Sequence, residues 1–337
     1  MAMYKTTQAA ILRRIPVLCT QVRFSSRPAK ARNATVRIPD LKEVLPSCPT
    51  ICDLEDAVGT VLNLLQEHRG RVLVLTGAGI STDSGVPDYR SKEGVYVRNP
   101  THRPIFYHEL VSSDIYRRRY WARGFLGWPT MSRAQPNGTH HALAWLLGHH
   151  HIGHIITQNV DNLHFVADTP RDHVLELHGT LRRVECLGCG ATTDRDKYQH
   201  RLNARNPAWV AYQRSLKGQM PKVNPDGDVE LPGEVSYENF DIPPCRNIDP
   251  STTEMADKLV QKFGAVLVIG SSLATYSSFR LVRLAETLGK PIGILNMGPT
   301  RADVLASWKI ELGCTTVLEQ VRARLDGSRK CLSSEVA

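Results

Sequence analysis

The chain has 337 residues, with 42 Lys and Arg against 33 Asp and Glu, a formal charge of +9 and 42% apolar residues. That length suits one large or two small domains with a sizeable core, and no apolar run reaches the roughly 18 residues of a membrane span. Eight of the basic residues (Lys5, Arg13, Arg14, Arg23, Arg27, Lys30, Arg32 and Arg37) lie in residues 1–39, which hold no acid, so the rest is near neutral at 34 basic against 33 acidic. The charge therefore belongs to a leader and gives nucleic-acid binding little support.

That leader is Arg-rich and carries the apolar and basic stretch Ala9-Ala10-Ile11-Leu12-Arg13-Arg14-Ile15. It predicts a mitochondrial transit peptide, with the matrix as destination; a secretory signal fits worse because arginines interrupt the apolar part. The eight cysteines are too sparse for a disulfide scaffold. A reducing matrix would favour their use in metal binding.

Apolar spacing predicts a helix over Leu54–His68, stopped by Gly70, and then a strand over Val72–Leu75. The strand runs into Thr76-Gly77-Ala78-Gly79-Ile80-Ser81 and a polar loop ending in Asp88-Tyr89-Arg90. A strand, glycines and a helix start present bare N–H groups to a phosphate, and Gly77 and Gly79 would let a diphosphate approach closely. A tight turn needing glycine is the plainer reading of the same residues. The dinucleotide fingerprint G-x-G-x-x-G would need glycine at position 82, where Thr82 stands, and the ribose-binding acid about 20 residues further on is missing. A nucleotide fits this loop, whereas a hydride-transferring dehydrogenase does not.

Residues 91–136 predict a small helical module with a mobile loop. Within it Tyr116-Arg117-Arg118-Arg119-Tyr120-Trp121 reads as a helix with a solvated basic face rather than a nucleic-acid contact. A helix over His140–Leu147 leads to a strand over His154–Thr157 and the polar tip Gln158-Asn159-Val160-Asp161. A short strand over Val174–Leu177 ends at His178-Gly179. After a compositionally distinct stretch, 181–250, come a strand ending in Gly270-Ser271-Ser272, a helix from about Phe279 to Leu288, and a strand ending in Asn296-Met297-Gly298. The tail after Asp326 is polar and reads as loose. Strands alternating with helices predict an α/β fold with a doubly wound parallel sheet. Ligands of such sheets lie beyond the strands' carboxyl ends, so the tips at 76–81, 158–161, 270–272 and 296–298 should converge on one crevice.

Three sets of residues carry candidate chemistry. His178, after a strand, suits a general base working near neutrality, although a lone histidine is more often structural. Asn159 and Asp161 offer an amide and a carboxylate to a ribose or carboxamide, or simply make a turn. Cys186-Leu187-Gly188-Cys189 has zinc-knuckle spacing, with a redox pair as the alternative and Cys245 as a third thiol. Positions 246–249 supply no second C-x-x-C; Asp249 or a distant cysteine is a weak fourth ligand. The run His149-His150-His151 with His154 selects no coordination geometry and reads as a solvated helix end.

Six separated motifs, in order, resemble the sirtuin family over about residues 50–325: Gly77-Ala78-Gly79-Ile80-Ser81 with Gly85-Val86-Pro87-Asp88-Tyr89-Arg90-Ser91; Thr157-Gln158-Asn159-Val160-Asp161; Leu177-His178-Gly179; Cys186-x-x-Cys189; Gly270-Ser271-Ser272-Leu273; and Asn296-Met297-Gly298. Tyr89, Tyr120-Trp121-Ala122-Arg123, Pro225-Asp226-Gly227-Asp228-Val229 and the stretch to Arg301 are most similar to the class II, type-4 mitochondrial members. The resemblance implies a catalytic domain over 45–325. A Rossmann-like NAD-binding part would fall at about 50–90, 137–180 and 260–320, with a smaller helical module at about 91–136 and a zinc module at about 181–250; 326–337 would be tail.

The implied activity is NAD-dependent protein lysine deacylation. In that mechanism the acyl carbonyl oxygen attacks C1′ of the nicotinamide ribose and nicotinamide leaves. The histidine matched by His178 then takes a ribose proton so that a hydroxyl attacks the imidate, giving lysine and O-acyl-ADP-ribose. Asp161 would hold the carboxamide, and Gln158 and Asn159, beside Val160, the ribose or an ordered water. Gly77, Ala78, Gly79, Ser81, Asp88, Tyr89 and Arg90 would line the diphosphate and nicotinamide region. Gly270, Ser271 and Ser272 would meet phosphate or ribose, Asn296, Met297 and Gly298 the adenosine ribose, and Cys314 the adenine side. One structural zinc would sit on Cys186, Cys189 and Cys245. Acylated-lysine proteins of the mitochondrion would be the partners, without nucleic acid or a membrane span. Lipoyl removal and ADP-ribosyl transfer belong to related type-4 enzymes, and no spacing here selects among these.

One departure stands out. The family continues from the third zinc cysteine through x-x-Cys-Gly-Gly and a strand ending in a Phe-Gly-Asp/Glu loop, whereas here Cys245 is followed almost at once by Asp249-Pro250-Ser251. The missing piece would hold the fourth zinc ligand, a sheet strand and part of the acyl-lysine clamp. A skipped coding segment is the expected origin, and weak zinc binding with poor turnover the expected result. A catalytically impaired NAD-binding or interaction protein is accordingly the competing reading.

Overall fold

The computed structural model describes residues 48, 50–91, 94–98, 105–186, 191–217, 229–233, 235–243 and 253–334. The leader, Cys189, Cys245 and the 246–250 junction lie outside the described residues. In chain order the elements are β1 (Thr50–Ile51), α1 (Leu54–Glu67), β2 (Val72–Thr76), α2 (Val95–Arg98), α3 (Tyr107–Ser112), α4 (Asp114–Arg133), α5 (Gly138–Gly148), β3 (His154–Thr157), α6 (Leu163–Val166) and β4 (Val174–Glu176). There follow β5 (Arg183–Glu185), β6 (Thr192–Asp194), α7 (Arg195–Arg205), α8 (Pro207–Ser215), α9 (Thr253–Lys262), β7 (Ala265–Ile269), α10 (Tyr276–Thr287), β8 (Ile292–Leu295), β9 (Trp308–Ile310) and α11 (Cys314–Ser334).

Seven parallel strands form one sheet in the order β1-β9-β8-β7-β2-β3-β4. All five residues of β2 are buried, as a central parallel strand requires. Successive side chains point to opposite faces. Val72 and Val74 enter a core with residues of α1, α5 and α11, while Leu73 and Leu75 enter a second core with residues of α9 and α10. The sheet is therefore covered on both sides, which is the doubly wound α/β, Rossmann-like arrangement expected.

Local chemistry sets the element boundaries. Asp53 caps α1 by accepting from the N–H groups of Glu55 and Asp56 at 2.9 and 3.1 Å, which satisfies donors that have no partner within the helix. Helix α5 begins at Gly138 rather than His140 because the Asn137 side chain accepts from Thr139 N at 3.0 Å. The polar tail is helical to Ser334, as the end of α11, whose inner face places Val317, Leu318, Val321 and Leu325 in the core.

A third apolar cluster stands apart from the sheet. It joins Trp121, Phe125 and Leu126 of α4 to Val184 of β5, Tyr198 and Leu202 of α7, Trp209 of α8, and Phe240. The stretches read separately as 91–136 and 181–250 thus share one core. The basic run is not a solvated face either. Arg117 donates to the carbonyls of Leu110 and Val111, tying α4 to α3, and Arg118 to those of Glu238 and Phe240, tying α4 to the stretch before Pro243.

Candidate active site

The ladder register brings the strand ends level. Thr76 pairs with Thr157 and Ile269, Thr157 with Glu176, and Ile269 with Leu295. Gly77, Gln158, His178, Gly270 and Asn296 therefore leave the sheet at one edge, as the motif spacing predicts.

The two glycines of the first loop have a different task from the one read in the sequence. Gly77 N–H donates to Ile269 O at 3.2 Å and Gly79 N–H to Gly270 O at 2.9 Å. A side chain at Gly77 would place Cβ 2.7 Å from Ser271 Cβ, and one at Gly79 would place it 2.8 Å from Gly270 O. Gly270 has φ +60°, and a Cβ there would meet Ile80 N at 2.6 Å. These glycines let the tips of β2 and β7 touch, and the N–H groups of Gly77 and Gly79 are spent inside the protein. Ala78 and Ser81 lie in a 3-10 turn, Ala78–Ser84, closed by Gly85 at φ +76°.

A buried polar network locks three tips together. Ser81 Oγ donates to Asp161 Oδ2 at 2.8 Å and accepts from Asn159 Nδ2 at 3.1 Å. Asn159 Nδ2 also donates to Gly77 O, and Asp161 Oδ1 accepts from Leu163 N at the start of α6. Gln158 Nε2 donates to Ser271 Oγ at 2.7 Å and to Thr76 O at 3.2 Å. Ser271 Oγ in turn accepts from Leu273 N, and Ser272 O accepts from Arg301 N. Val160 O accepts from Leu181 N, which holds the 158–161 tip against the chain beyond His178. The amide nitrogens of Gln158 and Asn159 therefore shape the crevice, and the Asp161 carboxylate keeps acceptor capacity beyond its two bonds.

His178 stands at the mouth of this network. Its Nδ1 lies 3.1 Å from Gln158 O and its Nε2 2.9 Å from Ser277 Oγ. A carbonyl only accepts, so Nδ1 carries the hydrogen and Nε2 is the basic nitrogen. Desolvation lowers the His178 pKa below the ordinary 6.5, against the opposing bond to Gln158 O, and the ring is neutral at physiological pH. A neutral imidazole with its tautomer fixed is the form a general base needs.

Sequence reasoning missed the layer beneath. Asn137 Nδ2 donates to Ile80 O at 2.7 Å and Ser84 Oγ at 3.0 Å, clamping the 3-10 turn to the start of α5. Thr76 Oγ1 meets His164 Nε2 at 3.0 Å, and the His164 ring packs edge-on to His140 with centroids 5.3 Å apart. Burial pushes His164 down to about 3 and His140 to about 4, so both are neutral. The helix-capping pattern Asn137-Gly138-Thr139 was the readable signal for the clamp.

Elsewhere the expected residues are placed less directly. Asp88 turns into its own loop, its Oδ1 accepting from Ser91 N and Ser91 Oγ, while Tyr89 is exposed and Arg90 half-buried. Asn296 Nδ2 donates to Met297 O and Gly298 O, folding its loop around itself, with Gly298 at φ +77° and Met297 exposed. Cys314 opens α11 with Sγ 3.9 Å from Leu295 O, and burial pushes its thiol up to about 12, so it is a neutral thiol.

Of the zinc set, only Cys186 falls within the described residues. Its N–H donates to Ala191 O at 2.9 Å, closing the loop between antiparallel β5 and β6 that contains Cys189. Among the described residues no group of three or more His, Cys, Asp or Glu could hold a metal ion. None of the described helices is long and apolar enough to cross a membrane.

A parallel α/β sheet whose level tips gather a neutral histidine and a buried carboxylate has the layout of a nucleotide-using enzyme. Thr82, in place of the third fingerprint glycine, separates it from the hydride-transfer group. Residues 77–277 match the Sir2 family, and the chain belongs to that family, the sirtuins. It is 41% identical over 295 residues to the "NAD-dependent protein deacylase SIR4" of Batrachochytrium dendrobatidis, covering 81% of this chain and 95% of that protein. It is 42% identical over 272 residues to the "NAD-dependent protein lipoamidase sirtuin-4, mitochondrial" of Bos taurus, covering 75% and 82%. Among solved structures it is similar to "Sir2-p53 peptide-NAD+", with a TM-score of 0.54, 27% identity, and coverage of 80% of this chain and 97% of that one.

Proposed function

We infer that this chain is an NAD-dependent protein lysine deacylase that consumes NAD and transfers the acyl group to ADP-ribose. The observation that carries this reading is the placement of His178: a neutral base with a fixed tautomer beside the Ser81–Asn159–Asp161 network. NAD supplies the ribose carbon that receives the acyl oxygen and the nicotinamide that leaves. His178 Nε2 takes the proton from a ribose hydroxyl once substrate displaces Ser277. Asp161 accepts from the carboxamide, and Ser81 and Asn159 hold that carboxylate in place. The Ala78–Ser84 turn with Arg90 lines the diphosphate side, Ser271 and Ser272 the middle, and Asn296, Met297, Gly298 and Cys314 the adenosine side. The division into an NAD-binding part and a smaller module with its own core supports a substrate cleft between them.

Lipoyl-lysine and other acyl-lysines are the substrate classes this reading assigns, in keeping with relatives named a deacylase and a lipoamidase, with mitochondrial proteins as their carriers. Residues 1–39 address the chain to the matrix. Zinc binds Cys186, Cys189 and Cys245 weakly, because three thiolates fall one short of the four ligands of a structural site. The test is formation of free lysine and O-acyl-ADP-ribose from NAD and acyl-lysine peptides, because His178 acts after nicotinamide has left. Both products with His178 intact and neither after His178→Tyr supports the assignment; equal formation by both overturns it.

A further inference from the structure

The strand that borders the adenosine side carries a charge in an unexpected place. Lys309, in β9, is 2% exposed, and Asp303 is fully buried. Lys309 Nζ lies 2.8 Å from Asp303 Oδ2 and 2.8 Å from Glu311 Oε1. Asp303 Oδ1 accepts from Thr300 Oγ1 at 2.6 Å, and Oδ2 accepts from Thr300 N at 3.1 Å. Thr300 Oγ1 also accepts from Ala302 N at 3.2 Å. Above this set lies the loop that opens with Asn296, Met297 and Gly298. On its other side Arg301 N donates to Ser272 O at 2.9 Å, and the Arg301 guanidinium sits 4.3 Å from the Phe279 ring.

We propose that Lys309 is a positioning residue for NAD: through Asp303 and Thr300 it fixes the loop after β8, and so sets the affinity of the crevice for the adenosine half of the dinucleotide. This rests on the reading that Asn296–Gly298 meets the adenosine ribose. Desolvation consumes most of a buried ion pair's Coulombic gain, so an apolar pair of similar volume often stabilises a fold as well. What an apolar pair does not supply is a fixed direction. Here one carboxylate takes both the hydroxyl and the N–H of Thr300, and one ammonium holds that carboxylate to the sheet. The loop between Leu295 and the 3-10 turn Asp303–Leu305 has no ladder of its own; Asn296 folds its first half and this anchor fixes its far end at Thr300.

Titration calorimetry with ADP-ribose on the full chain tests this, with melting temperature read alongside. Thr300→Val keeps the ion pair and volume but removes the hydroxyl link. The double variant Lys309→Met with Asp303→Leu removes both buried charges together and leaves Glu311, whose side chain is 33% exposed, to the solvent. Each variant leaves buried donors without an acceptor (Ala302 N–H in the first, the Thr300 N–H and hydroxyl in the second) and should melt below the unaltered chain. With binding read well below both melting temperatures, both should bind ADP-ribose about tenfold or more weakly, about one decade in Kd, with KM for NAD rising by more than kcat falls. ADP-ribose affinity within about twofold in both variants would overturn the inference. An unaltered chain that does not bind ADP-ribose would instead overturn the cofactor reading beneath it.

Discussion

Ser81 and Asp161, 80 residues apart in sequence, share a 2.8 Å hydrogen bond from hydroxyl to carboxylate in the buried floor of the crevice. The bond couples the 3-10 turn after β2 to the tip after β3. Asp161 is 4% exposed and also accepts from Leu163 N, so one carboxylate organises two loops. Asp161→Asn keeps the shape but offers Ser81 and Leu163 one acceptor oxygen instead of two. It should lower kcat/KM for NAD by about 100-fold, on the scale of a lost charge-assisted hydrogen bond in a buried site. Ser81→Ala removes the coupling and leaves the charge, with an expected loss of about tenfold. Steady-state nicotinamide release at varied NAD reads both.

The contact between the β2 and β7 tips makes its own prediction. Gly270→Ala combines φ +60° with a Cβ 2.6 Å from Ile80 N. It should cost about 1–3 kcal/mol of stability, seen as a fall of several degrees in melting temperature, and weaken NAD binding. Gly85→Ala, at φ +76° with nothing within 4 Å, is strained without the clash and should cost less. Equal melting shifts for the two would argue against the close approach as the reason for glycine at 270.

The state of His178 gives a pH dependence. Its pKa is lowered from 6.5, and the neutral ring is the working form. Activity should be flat through neutrality and fall only as pH drops below 6.5. The Ser277 hydroxyl donates to the neutral Nε2, so Ser277→Ala removes support for that form and should move the acid limb to higher pH. Measured kcat against pH checks the direction, and an acid limb moving lower in this variant would contradict it.

Stability should follow the two histidines beneath the site. His164 and His140 are held at about 3 and about 4, below the ordinary 6.5 of an unfolded chain. Below pH 6.5 the unfolded state binds protons that the folded state refuses, so stability is full above that pH and is lost as pH falls towards 4 and 3. The slope approaches roughly 1.4 kcal/mol per pH unit for each histidine. Melting temperature followed from pH 7.5 downward, with a shallower fall in His164→Asn, is the expected pattern.

The core of the smaller module, among the described residues, is built of apolar and aromatic side chains. Trp121, Phe125, Tyr198, Trp209 and Phe240 pack together, and the buried guanidinium of Arg195 lies 5.5 Å from the Trp121 ring and 4.7 Å from that of Trp128. Chelation should leave the melting curve nearly unchanged, and purified protein should carry less than one zinc per chain. Stoichiometric zinc, with unfolding on chelation, would mean that the cysteines find a fourth ligand.

How much of this was legible depended on the range of the interactions. Periodicity located the strands His154–Thr157 and Ala265–Ile269, because a central parallel strand is a short apolar run whatever surrounds it. The tips could be listed because parallel strands release their ligand-binding loops at one edge. What Gly77 and Gly79 do could not be read, since their partner Gly270 is nearly 200 residues away and only the register brings it close. The Lys309–Asp303 pair was hidden for a similar reason, because a lysine in a short strand reads as solvated until the fold is seen to bury it beside a carboxylate. Asn137 was legible in principle as a helix cap, but its second task, clamping Ile80 O, is a tertiary contact.

The role proposed for His178, the base of an NAD-dependent deacylation, is read from both products, nicotinamide and O-acyl-ADP-ribose, when the full chain meets NAD and a lipoyl- or acetyl-lysine peptide. Equal amounts of the two are expected from the unaltered chain, and neither O-acyl-ADP-ribose nor free lysine from His178→Tyr, which still binds NAD. Deacylation that persists in His178→Tyr, or an unaltered chain that binds NAD yet releases no nicotinamide with either peptide, would contradict it.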